Sequence, residues 1–143
     1  MSTEDTLASV ELFKGIDKDD LHTLTQIVVE RDFKAGEVIV KEGEPGLAMY
    51  IIGRGKAEVV RGVGSGSKQI VATLGAGDFF GEMALFDDSP RFASVRAVED
   101  TSCLVMSKWD LKTAFVATDG RVAMALLAVL ARRVRSLSDA ATH

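Results

Sequence analysis

The sequence predicts an α+β fold: a β jelly-roll barrel flanked by N-terminal helices and a long C-terminal helix. Three observations carry that expectation. Between about residues 32 and 107 the chain is a run of short β-prone segments, punctuated by glycine and acidic turns. Both ends instead place apolar residues at helical spacing. The 143 residues, 47% hydrophobic and 27% charged, suffice for one ordinary core without disulfide staples. Strands this short and turns this frequent fit a sandwich or closed barrel. The expected organisation is one domain over residues 1–143, with helices in 1–31, the barrel in 32–107 and helices again in 108–143.

Taken in order, residues 3–30 read as helical, with Asp17 capping a helix through Leu21, Leu24, Ile27 and Val28. Val38-Ile39-Val40 is then followed by a Gly43–Gly46 turn. Met49–Ile52 and Ala57–Val60 flank Gly53-Arg54-Gly55, a hairpin signal. Gly62–Ser67 is a glycine-serine turn into a strand over Gln69–Leu74. Two further strands, Ala93–Val98 and Ser102–Met106, are separated by Glu99-Asp100. Helix returns over Trp109–Val116 and again from near Asp119 to about Asp139. The last helix carries two apolar stripes in its first half: Ala123, Leu127, Leu130, Val134, Leu137 and Ala141, and beside it Val122, Leu126 and Val129. The second stripe stops at Arg133, so the helix narrows to one seam. This is the pattern of a helix packed on its own protein first and on a partner helix, a second copy of the chain, afterwards.

Composition excludes several function classes. A formal net charge of −4 lacks the basic face that nucleic-acid binding needs. Arg132-Arg133-Val134-Arg135 is the local exception and reads as a solvated face near a helix C-terminus. No apolar run approaches the ~20 residues of a membrane span, and the acidic N-terminus carries no signal peptide. With the lone Cys103 read as an inert packed thiol, the expected location is the cytoplasm. His22 and His143 are too few and too far apart for the metal site of a barrel enzyme, and no nucleophile–base pair is present, so no enzyme activity is expected.

The chemistry concentrates between Leu74 and Ala97. Glycines at 75, 77 and 81 permit sharp turns and close backbone approach. Glu82-Met-Ala-Leu-Phe86 makes a helical turn whose start presents unpaired N–H groups, an anion-binding arrangement. Asp87-Asp88-Ser89-Pro90 ends that turn, and Arg91 follows with paired donors. Two readings fit these residues alone: an anion site on a barrel, or plain glycine turns with Arg91 paired to Asp87 or Asp88.

Phe80-Gly-Glu-Met-Ala-Leu-Phe86 with Pro90-Arg-Phe-Ala-Ser-Val-Arg-Ala97 resembles the phosphate-binding cassette of the cyclic nucleotide-binding domain family. That family includes the sensor domains of the catabolite activator protein and of the regulatory subunits of cAMP-dependent protein kinase. Leu12-Phe-Lys-Gly-Ile16, Phe33–Ile39, Glu42–Gly46 and Met49–Ile52 fall at further family landmarks, so the resemblance spans nearly the whole chain. It implies a cassette over residues 77–97 that binds a cyclic mononucleotide. Arg91 is then the partner of the phosphate, with backbone N–H groups around Met83, Ala84 and Ala93. Glu82 accepts from the ribose 2′-hydroxyl, and Gly81 admits the sugar. Val71 is the expected purine contact. The final helix covers the base, with Arg133, Ser136 or Ser138 facing the ligand, or Arg133 pairing instead with Glu82. Phe92 stands where cGMP-favouring members carry a hydroxyl, so the resemblance implies cAMP ahead of cGMP. The expected function is a stand-alone sensor that signals through its last helix and a homodimer. Two alternatives are a ligand-free interaction module and the sensor fragment of a longer transcription regulator.

Overall fold

β-branched and aromatic residues at alternate positions, separated by glycine turns, build eight strands among residues 29–107. They are β1 (Val29–Phe33), β2 (Val38–Val40), β3 (Ala48–Arg54), β4 (Lys56–Arg61), β5 (Gln69–Gly75), β6 (Phe79–Phe80), β7 (Ser94–Ala97) and β8 (Thr101–Ser107). The computed structural model describes residues 2–62, 69–82 and 89–142. All described pairings are antiparallel and form two four-stranded sheets, β1-β8-β3-β6 and β2-β7-β4-β5. This interleaved order is the jelly roll that the short strands predict.

The chain divides into two compact units, residues 28–109 and residues 1–27 with 110–143. Inside the first, Phe33, Tyr50, Ile52, Phe80, Val95 and Cys103 belong to one buried cluster. Burial, with Asp32 adding to it, pushes the Cys103 thiol up to about 11. The thiol is therefore protonated and inert at neutral pH, as the sequence reading has it.

The helical unit contains α1 (Thr3–Ser9), α2 (Lys18–Thr25), most of α3 (Lys108–Ala117) and α4 (Arg121–Thr142). Asp17 caps α2 as expected, accepting from the Asp20 amide at 2.9 Å. The helix ends at Thr25, however, and does not run on through Ile27 and Val28. Val29 already pairs with Val105 in β8, because a β-branched run satisfied by long-range pairing outweighs helical spacing. Arg121 donates to both Asp20 carboxylate oxygens, at 2.9 and 3.0 Å, joining α4 to α2. Those hydrogen bonds hold the Asp20 carboxyl below its ordinary value, so the tie fails as pH falls through that lowered value. α4 begins at Arg121 and not at Asp119, because Asp119 (φ 50°) and Gly120 (φ 80°) form a left-handed reversal after α3.

Of the two stripes on α4, Val122, Leu126 and Val129 are buried. The other is open: Leu127, Val134 and Leu137 are 48%, 63% and 72% exposed. Among the described residues no single helix is long and apolar enough to cross a membrane. Among the same residues no group of three or more His, Cys, Asp or Glu could hold a metal ion.

Candidate ligand-binding site

Arg91 is fixed first through its backbone. Its amide donates to the Glu44 carbonyl at 2.9 Å, its carbonyl accepts from the Gly43 amide at 2.8 Å, and Pro90 bridges to Pro45 beside it. The glycine-rich turn between β2 and β3 is thus a clamp on the arginine. A second tie locks the turn itself, since the Glu42 amide donates to Ser94 Oγ at the start of β7 at 2.9 Å.

The Arg91 side chain runs back across the barrel. Its Nη2 donates to the Ala48 carbonyl at 2.8 Å, and its Cζ lies 6.0 Å from the centre of the Tyr50 ring. That ring is stacked on Phe80 with centroids 5.0 Å apart and planes 1° from parallel. The stack follows from register, because Tyr50 and Phe80 are direct partners between β3 and β6. Gly81 leaves β6 at φ +84°, a left-handed conformation that glycine adopts freely, and Glu82 comes next.

Gly81, Glu82, Arg91, Phe92 and Ala93 all line one cavity of about 430 Å³. That size lies within the ~300–1,000 Å³ range of small-molecule sites. Val40, Val59, Leu74 and Phe79 supply its apolar wall. The cavity therefore offers a cation beside a carboxylate, with an apolar compartment next to both. Burial pushes the Arg91 guanidinium below its ordinary value, while Tyr50 and Glu82 act in the opposite sense. It remains a cation at neutral pH. A half-buried cation on the wall of a largely apolar cavity is a receptor for an anion.

The site residues expected from sequence separate into three groups. Gly81, Glu82, Arg91, Phe92 and Ala93 converge on the cavity. Met83 and Ala84, like Asp87 and Asp88, lie outside the described residues. Val71 and Arg133 make up the third group. Val71 is 48% exposed and absent from the cavity lining; the β4–β5 register slips between Val59 and Val60, which leaves Val71 as the extra residue of a bulge. Leu74 and Val59, its neighbours on β5 and β4, do line the cavity. Arg133 belongs to the helical unit, with its Nε 4.0 Å from Glu11 Oε1.

Sequence reasoning missed Tyr50, the Ala48 carbonyl and the wall residues. Ala57–Val60 was legible only as one arm of a hairpin, and its register with β5 depends on the bulge, which alternation does not reveal.

A family model described as the cyclic nucleotide-binding domain matches residues 30–118. A CRP-like cAMP-activated global transcriptional regulator of Mycobacterium tuberculosis is 32% identical over 136 residues, which is 95% of this chain and 60% of that protein. The cyclic AMP receptor protein of Thermus thermophilus is 36% identical over 124 residues, 87% of this chain and 57% of its own length. Among solved structures, the N-terminal domain of a transcriptional regulator from Streptomyces coelicolor superimposes with a TM-score of 0.84 at 31% identity, covering 95% of this chain and 94% of that one. The chain belongs to the cyclic nucleotide-binding domain family. It spans about 60% of the length of the curated relatives named here.

Proposed function

We propose that the chain is a cyclic nucleotide sensor whose ligand is cAMP in preference to cGMP. The observation that carries this reading is the Arg91 guanidinium, a half-buried cation bordering a largely apolar cavity with Glu82 at its side. Arg91 takes the phosphate, aided by the N–H groups of Met83, Ala84 and Ala93, and Glu82 accepts from the ribose 2′-hydroxyl. A carboxylate suits a hydroxyl donor and repels a phosphate, so the two ends of the ligand cannot exchange. The purine occupies the space walled by Val40, Val59 and Leu74. Charge-assisted hydrogen bonds of ~1.5–3 kcal/mol each, with burial of the base, suffice for micromolar affinity, roughly −8 kcal/mol. Calorimetric titration with cAMP and cGMP tests the reading directly; failure of both to bind refutes it.

The ligand preference rests on Phe92, which lines the cavity and is 66% exposed. It has no hydroxyl to accept from a guanine amino group, and one such missing hydrogen bond costs ~1–3 kcal/mol. cAMP is therefore expected to bind ~5–100-fold more tightly than cGMP. Competition titration of Phe92→Thr should move that ratio toward cGMP. An unmoved ratio means that Phe92 does not face the purine.

The output is a regulatory signal passed through α4 and a homodimer. The seam of Leu127, Leu130, Val134 and Leu137, of which Leu127, Val134 and Leu137 are exposed, follows the alternating three-four spacing of a helix that meets its own copy. Val134→Glu with Leu137→Glu should convert a dimer at tens of micromolar into monomers while the barrel keeps its fold. Sedimentation of parent and variant decides this: a monomeric parent, with and without ligand, overturns the dimer.

A further inference from the structure

We propose that Gly81 and Tyr50 are positioning residues for Arg91: with the Ala48 carbonyl they form a slot that fixes the guanidinium before any ligand arrives. The inference rests on Arg91 being the phosphate partner, and it reassigns Gly81 from the sugar to the arginine.

The direction that a side chain on Gly81 would take is the first argument. A Cβ there would overlap Arg91 Nη1, and would stand 2.9 Å from the Ala48 carbonyl oxygen and 3.3 Å from Arg91 Cζ. The missing side chain thus makes room for the arginine. Residue 81 cannot drift to relieve a clash, because Phe80 is held in register opposite Tyr50. The second argument is the ring. Tyr50 is stacked on Phe80, and the guanidinium lies over the Tyr50 ring at 6.0 Å, within cation–π range. The third is the space next door. Arg91 also borders a smaller cavity of about 190 Å³ lined by Lys41, Glu44 and Tyr50, among others. A guanidinium released from the slot therefore has somewhere to go, where Glu44 competes for it. Holding the fork in place removes that reorganisation from the binding step.

A double-mutant cycle, read by calorimetric titration with cAMP, tests the slot. Gly81→Ala alone should weaken binding at least about tenfold, but less than about twofold further when Arg91 is already alanine, since coupled residues are non-additive. Tyr50→Phe should retain affinity within about threefold, and Tyr50→Leu should lose roughly fivefold or more, again only while Arg91 is present. Gly81→Ala or Tyr50→Leu acting in full on the Arg91→Ala background overturns the proposal. Should Gly81→Ala fail to fold, the Tyr50→Leu cycle decides alone.

A ligand-free measurement separates the slot from the ligand reading. Nitrogen-15 NMR of the guanidinium groups should show restrained Nη–H signals that vanish in Arg91→Ala. They should persist in Tyr50→Phe and broaden in Gly81→Ala and Tyr50→Leu, with folding confirmed by circular dichroism. Signals unchanged in the last two variants overturn the slot. Signals that respond as expected in a chain that binds no cyclic nucleotide uphold the slot and refute the ligand assignment.

Discussion

Arg91→Ala is expected to cost about 2–5 kcal/mol of cyclic nucleotide affinity, roughly 30- to 5,000-fold. The magnitude follows from what remains after truncation. The phosphate would still enter a cavity whose wall is mostly apolar, now without the cation that offsets its desolvation. Arg91→Lys restores charge but not the paired fork, so it should recover part of the loss. Fold stability should change by no more than about 1–2 kcal/mol, since truncation relieves the desolvation of a half-buried guanidinium but takes a donor from the Ala48 carbonyl. Calorimetry on variants checked by circular dichroism reads both quantities. Affinity within threefold of the parent would remove Arg91 from the phosphate site.

Gly55→Ala should be the most damaging single-methyl change in the barrel, at about 3–5 kcal/mol. Gly55 joins β3 to β4 at φ +103°, where an L residue is strained. A Cβ would also stand 2.5 Å from Thr101 Oγ1, 2.6 Å from the Asp100 carbonyl and 2.7 Å from Thr101 Cα. Thr101 cannot yield easily, because its hydroxyl is held between the Lys56 and Glu99 carbonyls, 3.1 and 2.8 Å away, to either of which its one hydrogen can donate. Gly36→Ala is the control: φ is +90°, nothing lies within 4 Å, and the cost should be about 1 kcal/mol. Urea denaturation of the two variants gives the difference. A Gly55→Ala cost no larger than that of the control would contradict the packed hairpin.

The jelly roll was legible in the sequence because strand-length apolar runs and glycine turns are local signals, and local signals need no partner to be read. β1 and β6 escaped for the opposite reason. Val29 continues an apolar spacing that also fits a helix, and Phe79-Phe80 is too short to alternate. The cassette was legible as a string, down to Glu82 and Arg91. What holds Arg91 was not, because Ala48 is 43 residues away and contributes a carbonyl that every residue possesses. Val71 falls at a bulge, where a single extra residue changes which side chain faces inward, so strand alternation alone does not place it.

The nested strand order has a consequence for how the barrel is made. β1 finds its one described neighbour in β8, β2 in β7, and β6 in β3, so the outermost pairs join opposite ends of the unit. Pairings this remote in sequence close large loops and make for slow assembly. As the chain is synthesised, β1 emerges first and waits unpaired until the last strand follows, with its edge open to wrong partners meanwhile. The arginine slot needs β3, β6 and the approach to β7 all in register, so a half-closed barrel has no grip on an anion. A ligand that meets only the finished barrel leaves the folding rate alone and slows unfolding, so cyclic nucleotide works as a brake on the way out of the native state.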